Sequence, residues 1–223
     1  EMGTETKRPS MHMCFTGNPG TAKTTVARLL ADILSKENIL DTGHFVECGR
    51  ADLVGRYVGW TAVQVKEKFR AARGGILFID EAYALVDDRS GSYGDEAINT
   101  IVQEMENRRE DVIVIFAGYP KKMEAFLATN EGLRSRIAFH VDFPDYTPAE
   151  LAEILRLIAR KKGCTLTEEI VAHCRKRFEA VCRQPDFGNG RFVRNVFEQA
   201  LMRQAQRLCT LREGQTLAKE DLR

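Results

Sequence analysis

From residue 11 to residue 34 the chain reads MHMCFT, then GNPGTAKT, then TVARLLADIL. Few folds accommodate that order. Met11–Thr16 is short and apolar, the signature of a strand buried on both faces, and Thr25–Leu34 carries apolar residues at helical spacing. Gly17–Thr24 between them has the make-up of a phosphate-binding turn, because it sits where a strand gives way to a helix. Consecutive backbone N–H groups and a helix N-terminus together form an anion site. Gly17, Asn18, Pro19, Gly20, Thr21, Ala22, Lys23, Thr24 and Thr25 are therefore the expected phosphate-contacting residues. Lys23 reaches the outer phosphates as a point charge, and the Thr24 hydroxyl completes a Mg²⁺ shell. Ala22 stands where a glycine ordinarily precedes the lysine. If the turn needs a positive φ there, its Cβ costs about 1–2 kcal/mol.

A second signal follows at Gly75–Glu81, GILFIDE. Four apolar residues predict a doubly covered strand of a parallel sheet, ending in adjacent carboxylates at the edge where ligands bind such sheets. Asp80 suits Mg²⁺, and Glu81 suits orienting and deprotonating an attacking water. Asp111–Ala117 predicts another apolar strand, leaving through Gly118-Tyr119-Pro120. Tyr119 is the candidate contact to the terminal phosphate or to the water from that strand, although a turn tyrosine before proline is also commonplace.

His44–Cys48 reads as a strand. Tyr57-Val58 lies between Gly55 and Gly59, with Trp60, the sole tryptophan, just beyond. Two readings stay open for these side chains: a loop that presents aromatics, or aromatics packed under a helix over 61–72 that Thr61 caps. Asp87–Gly94 reads as a polar loop and Asp95–Arg108 as an amphipathic helix. Leu133-Arg-Ser-Arg136 precedes a strand over Ile137–Phe143, and by itself the arginine pair reads as solvated surface. Pro144-Asp-Tyr-Thr-Pro148 marks the domain boundary, dividing an α/β domain, 1–143, from an all-helical lid, 144–223. Thr147 and Thr167 cap helices over 148–162 and 168–182, Asp186–Gly190 forms a loop, and a last helix runs over 191–208.

Thirty-three basic against 32 acidic residues leave a net charge of +1, so nothing draws the chain to nucleic acid or membrane. No basic stripe with interleaved aromatics points to a nucleic-acid motor. No apolar run approaches the roughly 18 residues of a membrane span, and no signal-peptide layout opens the chain, which places it in the cytosol. The six cysteines lack metal-ligand spacing and read as reduced, structural thiols; His173 beside Cys174 reads as lid surface or core.

Taken together, MHMCFTGNPGTAKTTVARL, DLVGRYVGWTA, ILFIDEAYAL, VIFAGYP, LRSRIAFHVDFPDY and FGNGRFVRN resemble the AAA+ ATPases. More closely they are similar to the CbxX/CfxQ family, which includes rubisco-activase-like proteins and stage V sporulation protein K. The resemblance spans about Met11–Leu208. It implies a P-loop NTPase with an αβα parallel sheet and a helical lid, binding and hydrolysing ATP with Mg²⁺. Lys23 and Thr24 match the Walker A pair, and Asp80 and Glu81 match Walker B. Tyr119 falls at sensor 1, where most of the class carries asparagine. Arg136, with Arg134 as alternate, matches the arginine finger that completes a neighbour's site. Arg191, with Arg194 second, matches sensor 2. Tyr57-Val58 matches the pore loop that grips a client polypeptide, and the partner set implied is a homo-oligomeric ring of six subunits. The class also carries a helix and an adenine-contacting segment upstream of the first strand. About ten residues stand there in this chain, so it is expected to be an excised module of a longer protein. The competing expectation is a nucleotide-binding switch or scaffold with little turnover. The motifs do not choose among client proteins.

Overall fold

The computed structural model describes residues 10–55, 57, 59–86, 93–182, 184 and 187–212. Its backbone divides into two compact units. One takes in the chain up to Asn18 together with Ala22–Pro144; the other takes in Pro19–Thr21 together with Asp145 onward.

The first unit is built on five parallel strands: β1 (His12–Gly17), β2 (Phe45–Cys48), β3 (Ile76–Ile79), β4 (Ile113–Gly118) and β5 (Ile137–Phe143). They lie in the order β2-β3-β4-β1-β5. Every residue of β3 and β4 is buried. Alternation explains why both strands read as unbroken apolar runs, since successive side chains point to opposite faces. Leu77, Ile79, Val114 and Phe116 pack in one core with α3 (Trp60–Ala71), α4 (Tyr93–Asn107) and α5 (Pro120–Ala128). Ile76, Phe78, Ile113, Ile115 and Ala117 pack in the other, against Ala27, Ala31 and Leu34 of α1 (Lys23–Lys36). Two short helices, α2 (Arg50–Leu53) and α6 (Glu131–Arg134), and a 3₁₀ turn over Ala82–Val86 complete this αβα unit.

His12 belongs to the core rather than to any site. Its ring is buried, Nδ1 accepts from the Val114 N–H at 3.0 Å and Nε2 faces the Met105 carbonyl at 3.3 Å. Burial drives its pKa down to about 4. Cys14 and Cys48 are buried in strands, and burial pushes both thiols up to about 12, so they act as small hydrophobes.

The second unit is helical: α7 (Pro148–Lys161), α8 (Glu168–Val181) and α9 (Asn189–Arg212) pack around Leu151, Leu155, Phe178, Phe187, Val193 and Phe197. Thr147 and Thr167 accept from the N–H groups of Glu150 and Ile170, the caps expected from sequence. His173 is exposed. No described helix is long and apolar enough to cross a membrane.

Candidate nucleotide site

Three neighbouring strands of the first unit deliver the chemistry to one edge of the sheet. β4 lies between β1 and β3, with Cys14 opposite Phe116 and Phe116 opposite Ile79. One residue beyond Ile79 comes Asp80, then Glu81; two beyond Phe116 comes Gly118, then Tyr119; three beyond Cys14 comes Gly17, where the turn begins. At about 4.8 Å between strands, the acidic pair's strand runs some 10 Å from the strand feeding the turn. That gap suits a phosphate chain with its metal and attacking water.

The turn itself is held open by its lysine. Lys23 Nζ donates to the carbonyls of Gly17 at 2.8 Å and Asn18 at 2.9 Å, so the ammonium lies over the turn and not in the hydrophobic interior. Ala22 immediately before it has φ 69°, ψ 20°, so the turn does demand the left-handed region that the sequence comparison with glycine suggested. The N-terminus of α1 has no side-chain cap and no acidic residue in its first turn, whereas α7 and α8 are capped by threonines.

The hard oxygen donors available, the Thr24 hydroxyl and the Asp80 carboxylate, fit Mg²⁺, which keeps several waters and takes other oxygens from phosphates. No cluster of three or more His, Cys, Asp or Glu that would hold a metal on protein ligands alone occurs among the described residues. Asp80 Oδ1 accepts from the Glu81 N–H at 3.0 Å, and Glu81 sits at φ 48°, a strained backbone that aims its exposed carboxylate off the strand end.

A residue that sequence reasoning passed over stands beside this pair. The Tyr83 ring lies 6.0 Å from that of Tyr119. Lys122 Nζ sits 4.7 Å from the Tyr83 ring centre and 5.4 Å from that of Tyr119. Burial foremost, then the Glu81 charge, pushes the Tyr83 phenol up to about 12, so it remains a donor. The available signal was its position two residues beyond Glu81 in Asp-Glu-Ala-Tyr.

The remaining candidates fall elsewhere. Tyr57 and Trp60 are 64% and 58% exposed, with rings meeting edge-on at 5.5 Å. This rules out the packing under the helix that sequence allowed. Helix α3 starts at Trp60 behind Gly59, and the Thr61 hydroxyl accepts from the Gly55 N–H at 3.1 Å instead of capping. That bond closes the neck of the loop: a Cβ on Gly55 would lie 2.7 Å from that of Trp60. Val58 lies outside the described residues, as do Asp87–Ser92 of the polar loop and Asp186.

Arg136 precedes β5, whose start pairs with His12, so it belongs to the sheet edge opposite the phosphate turn. The six residues of β1 put these edges roughly 20 Å apart. Its side chain donates to the Gly132 carbonyl at 3.0 Å and lies 3.2 Å from Glu106 Oε2; Arg134 is exposed on the same turn. Arg191 and Arg194 are exposed on α9 in the helical unit.

Comparison with known families agrees with this architecture. Residues 13–145 match the family model described as ATPase family associated with various cellular activities (AAA), and residues 147–223 match the AAA lid domain. The structure superposes with a TM-score of 0.67 on the FIGL-1 AAA domain solved in complex with ADP, at 18% identity, covering 96% of this chain and 68% of that one. Fold and site define a nucleotide-binding ATPase of the AAA+ class.

Relatives narrow the class. A CfxQ homolog of Cyanidium caldarium is 45% identical over the whole chain, which spans 78% of it. The chloroplastic ribulose bisphosphate carboxylase/oxygenase activase of Cyanidioschyzon merolae is 45% identical over the same length, 76% of that protein, and CbbX of Cereibacter sphaeroides is 44% identical over 75% of its length. The chain belongs to the CfxQ/CbbX family of AAA+ ATPases.

Proposed function

We propose that this module hydrolyses ATP with Mg²⁺ and uses the cycle to remodel a polypeptide client through the pore of a homo-oligomeric ring of six subunits. The observation that carries the reading is the convergence of Lys23, Thr24, Asp80 and Glu81 on one sheet edge, with β4 holding the two strands apart. Thr24 and Asp80 would hold the Mg²⁺, which would supply charge neutralisation for the phosphate group. Lys23 offsets charge on the outer phosphates. Glu81 accepts the proton of the attacking water, with Tyr83 fixing its carboxylate, and Tyr119 flanks the same point. Catalysis here is positioning and electrostatics with no covalent enzyme intermediate.

Arg136 supports the ring. It lies some 20 Å from its own phosphate turn, too far to act in its own subunit. Leaving Glu106 costs little, because a partly exposed ion pair contributes about 0–1 kcal/mol. An arginine finger supplied by a neighbour is worth on the order of 10³–10⁵ in rate. Arg191 serves as the lid's contact to the terminal phosphate. Tyr57 and Val58, between Gly55 and Gly59, grip the client, with Tyr57 exposed; relatives bearing the rubisco activase name support a client of that kind.

Steady-state phosphate release with and without magnesium, combined with sedimentation in ATP, tests this reading. Magnesium-dependent turnover by a particle of about six chains supports it. Binding without turnover supports the switch, a reading that tyrosine at position 119 favours.

A further inference from the structure

Asn189 is fully buried and sits at φ 48°, opening α9. Its carboxamide is a hub. Nδ2 lies 2.7 Å from Asp145 Oδ1 and 3.3 Å from each of the Pro19 and Phe187 carbonyls, its two hydrogens shared among the three acceptors, while Oδ1 accepts from the Tyr146 N–H at 2.9 Å. The next residue, Gly190, donates its N–H to the Gly20 carbonyl at 3.1 Å. The Tyr146 hydroxyl donates to the Thr21 carbonyl at 3.4 Å. Three consecutive carbonyls of the phosphate turn are thus each taken by a donor from the helical unit, to which Pro19–Thr21 belongs. Gly20 has no alternative: its φ is +75°, and a Cβ there would lie 2.3 Å from the Gly188 carbonyl oxygen.

Peptide geometry turns this into a functional statement. In a trans peptide the carbonyl of one residue and the N–H of the next point in opposite directions within one plane, and no cis bond occurs among the described residues. Pinning the Pro19, Gly20 and Thr21 carbonyls therefore fixes the direction of the Gly20, Thr21 and Ala22 N–H groups. Those are the amides that meet phosphate oxygens if this turn binds nucleotide, the reading on which this inference rests. An anion site whose dipoles are already aimed binds more tightly than one that must reorganise.

We propose that Asn189, with Tyr146, is a positioning residue that pre-aims the phosphate-turn amides, so that the helical unit sets nucleotide affinity through the backbone of Pro19–Thr21. A side chain of α9 then controls phosphate binding without itself touching phosphate.

Two variants test it. Asn189→Gly keeps the left-handed backbone accessible and deletes the carboxamide; Tyr146→Phe deletes one hydroxyl. Affinity for a fluorescent ADP analogue is measured together with amide hydrogen exchange of the nucleotide-free protein. Loss of a single net hydrogen bond corresponds to a few-fold effect, so Tyr146→Phe weakens ADP about threefold and Asn189→Gly about tenfold. The Gly20, Thr21 and Ala22 amides exchange faster in both, while those of β1 and β4 are unmoved. A merely structural role would shift melting temperature without that local pattern. Unchanged affinity and unchanged Gly20–Ala22 exchange in Tyr146→Phe overturn the proposal, and this variant decides alone if Asn189→Gly does not fold. Failure of the parent protein to bind ADP would instead overturn the nucleotide reading.

Discussion

The Lys23 ammonium lies 2.8 Å from the carbonyl oxygen of Gly17, six residues earlier in the chain, and so spans the turn it is expected to serve. Removing it takes away both the charge for phosphate and the donor that braces the turn. Lys23→Ala is expected to weaken ATP and ADP binding on the order of a hundredfold, the loss of about two charged hydrogen bonds. Isothermal titration of the folded variant measures this.

Ala22 occupies a left-handed conformation that glycine adopts without strain. Ala22→Gly relieves that strain and gives back part of it in unfolded-chain entropy, leaving a net gain of up to about 1 kcal/mol. For a chain of this size that is a rise of roughly 2–4 °C in melting temperature. Scanning calorimetry reads it directly, and a lower melting temperature contradicts it.

The Tyr83 ring is held by Tyr119 and Lys122, and its protonated phenol is the donor proposed to orient Glu81. Tyr83→Phe keeps the ring and frees the carboxylate. The expected outcome is a several-fold fall in kcat with KM for ATP nearly unchanged, since the bond orients the base and does not bind substrate. A rise in KM at constant kcat would place Tyr83 in nucleotide binding instead.

Arg136 and Glu81 act in different subunits if the ring reading holds. Arg136→Ala protein is expected to lose at least about 10³ in turnover, and Glu81→Gln protein about 10²–10⁴. Mixed together, they regain part of it, because an Arg136→Ala subunit with an intact Glu81 receives Arg136 from its neighbour. Mixtures no more active than their components remove the finger from Arg136.

His12 sets a pH limit on stability. Its folded pKa, depressed by burial to about 4, lies below the unfolded value near 6.5, so the unfolded chain binds the extra proton between these values. Stability is complete above pH 6.5 and falls as pH drops toward 4; about 2 kcal/mol is lost between pH 7 and pH 5. Urea denaturation across that range shows the slope, and His12→Gln flattens it.

What the sequence disclosed follows physical lines. β3 and β4 were readable because burial on both faces leaves only apolar residues, and the phosphate turn was readable because its chemistry is contiguous. α7 and α8 announced their starts through Thr147 and Thr167. Thr61 misled: a threonine at a helix start predicts a cap, but its hydroxyl is committed to Gly55, a partner six residues away that closes the loop neck. The bonds of Asn189 to Pro19, 170 residues earlier, and of Tyr146 to Thr21 were invisible because no local pattern encodes a pairing across such separations. Exposure of Tyr57 and Trp60 likewise depended on tertiary packing, not on the glycines beside them.

The most direct test of ATP hydrolysis at this edge compares turnover and ATP binding in Glu81→Gln protein. The account predicts turnover reduced by about 10²–10⁴ with ATP affinity within a few-fold of the parent. Phosphate release persisting at the parental rate would show that the carboxylate beside Asp80 is not the base, and the assignment of the site would fail with it.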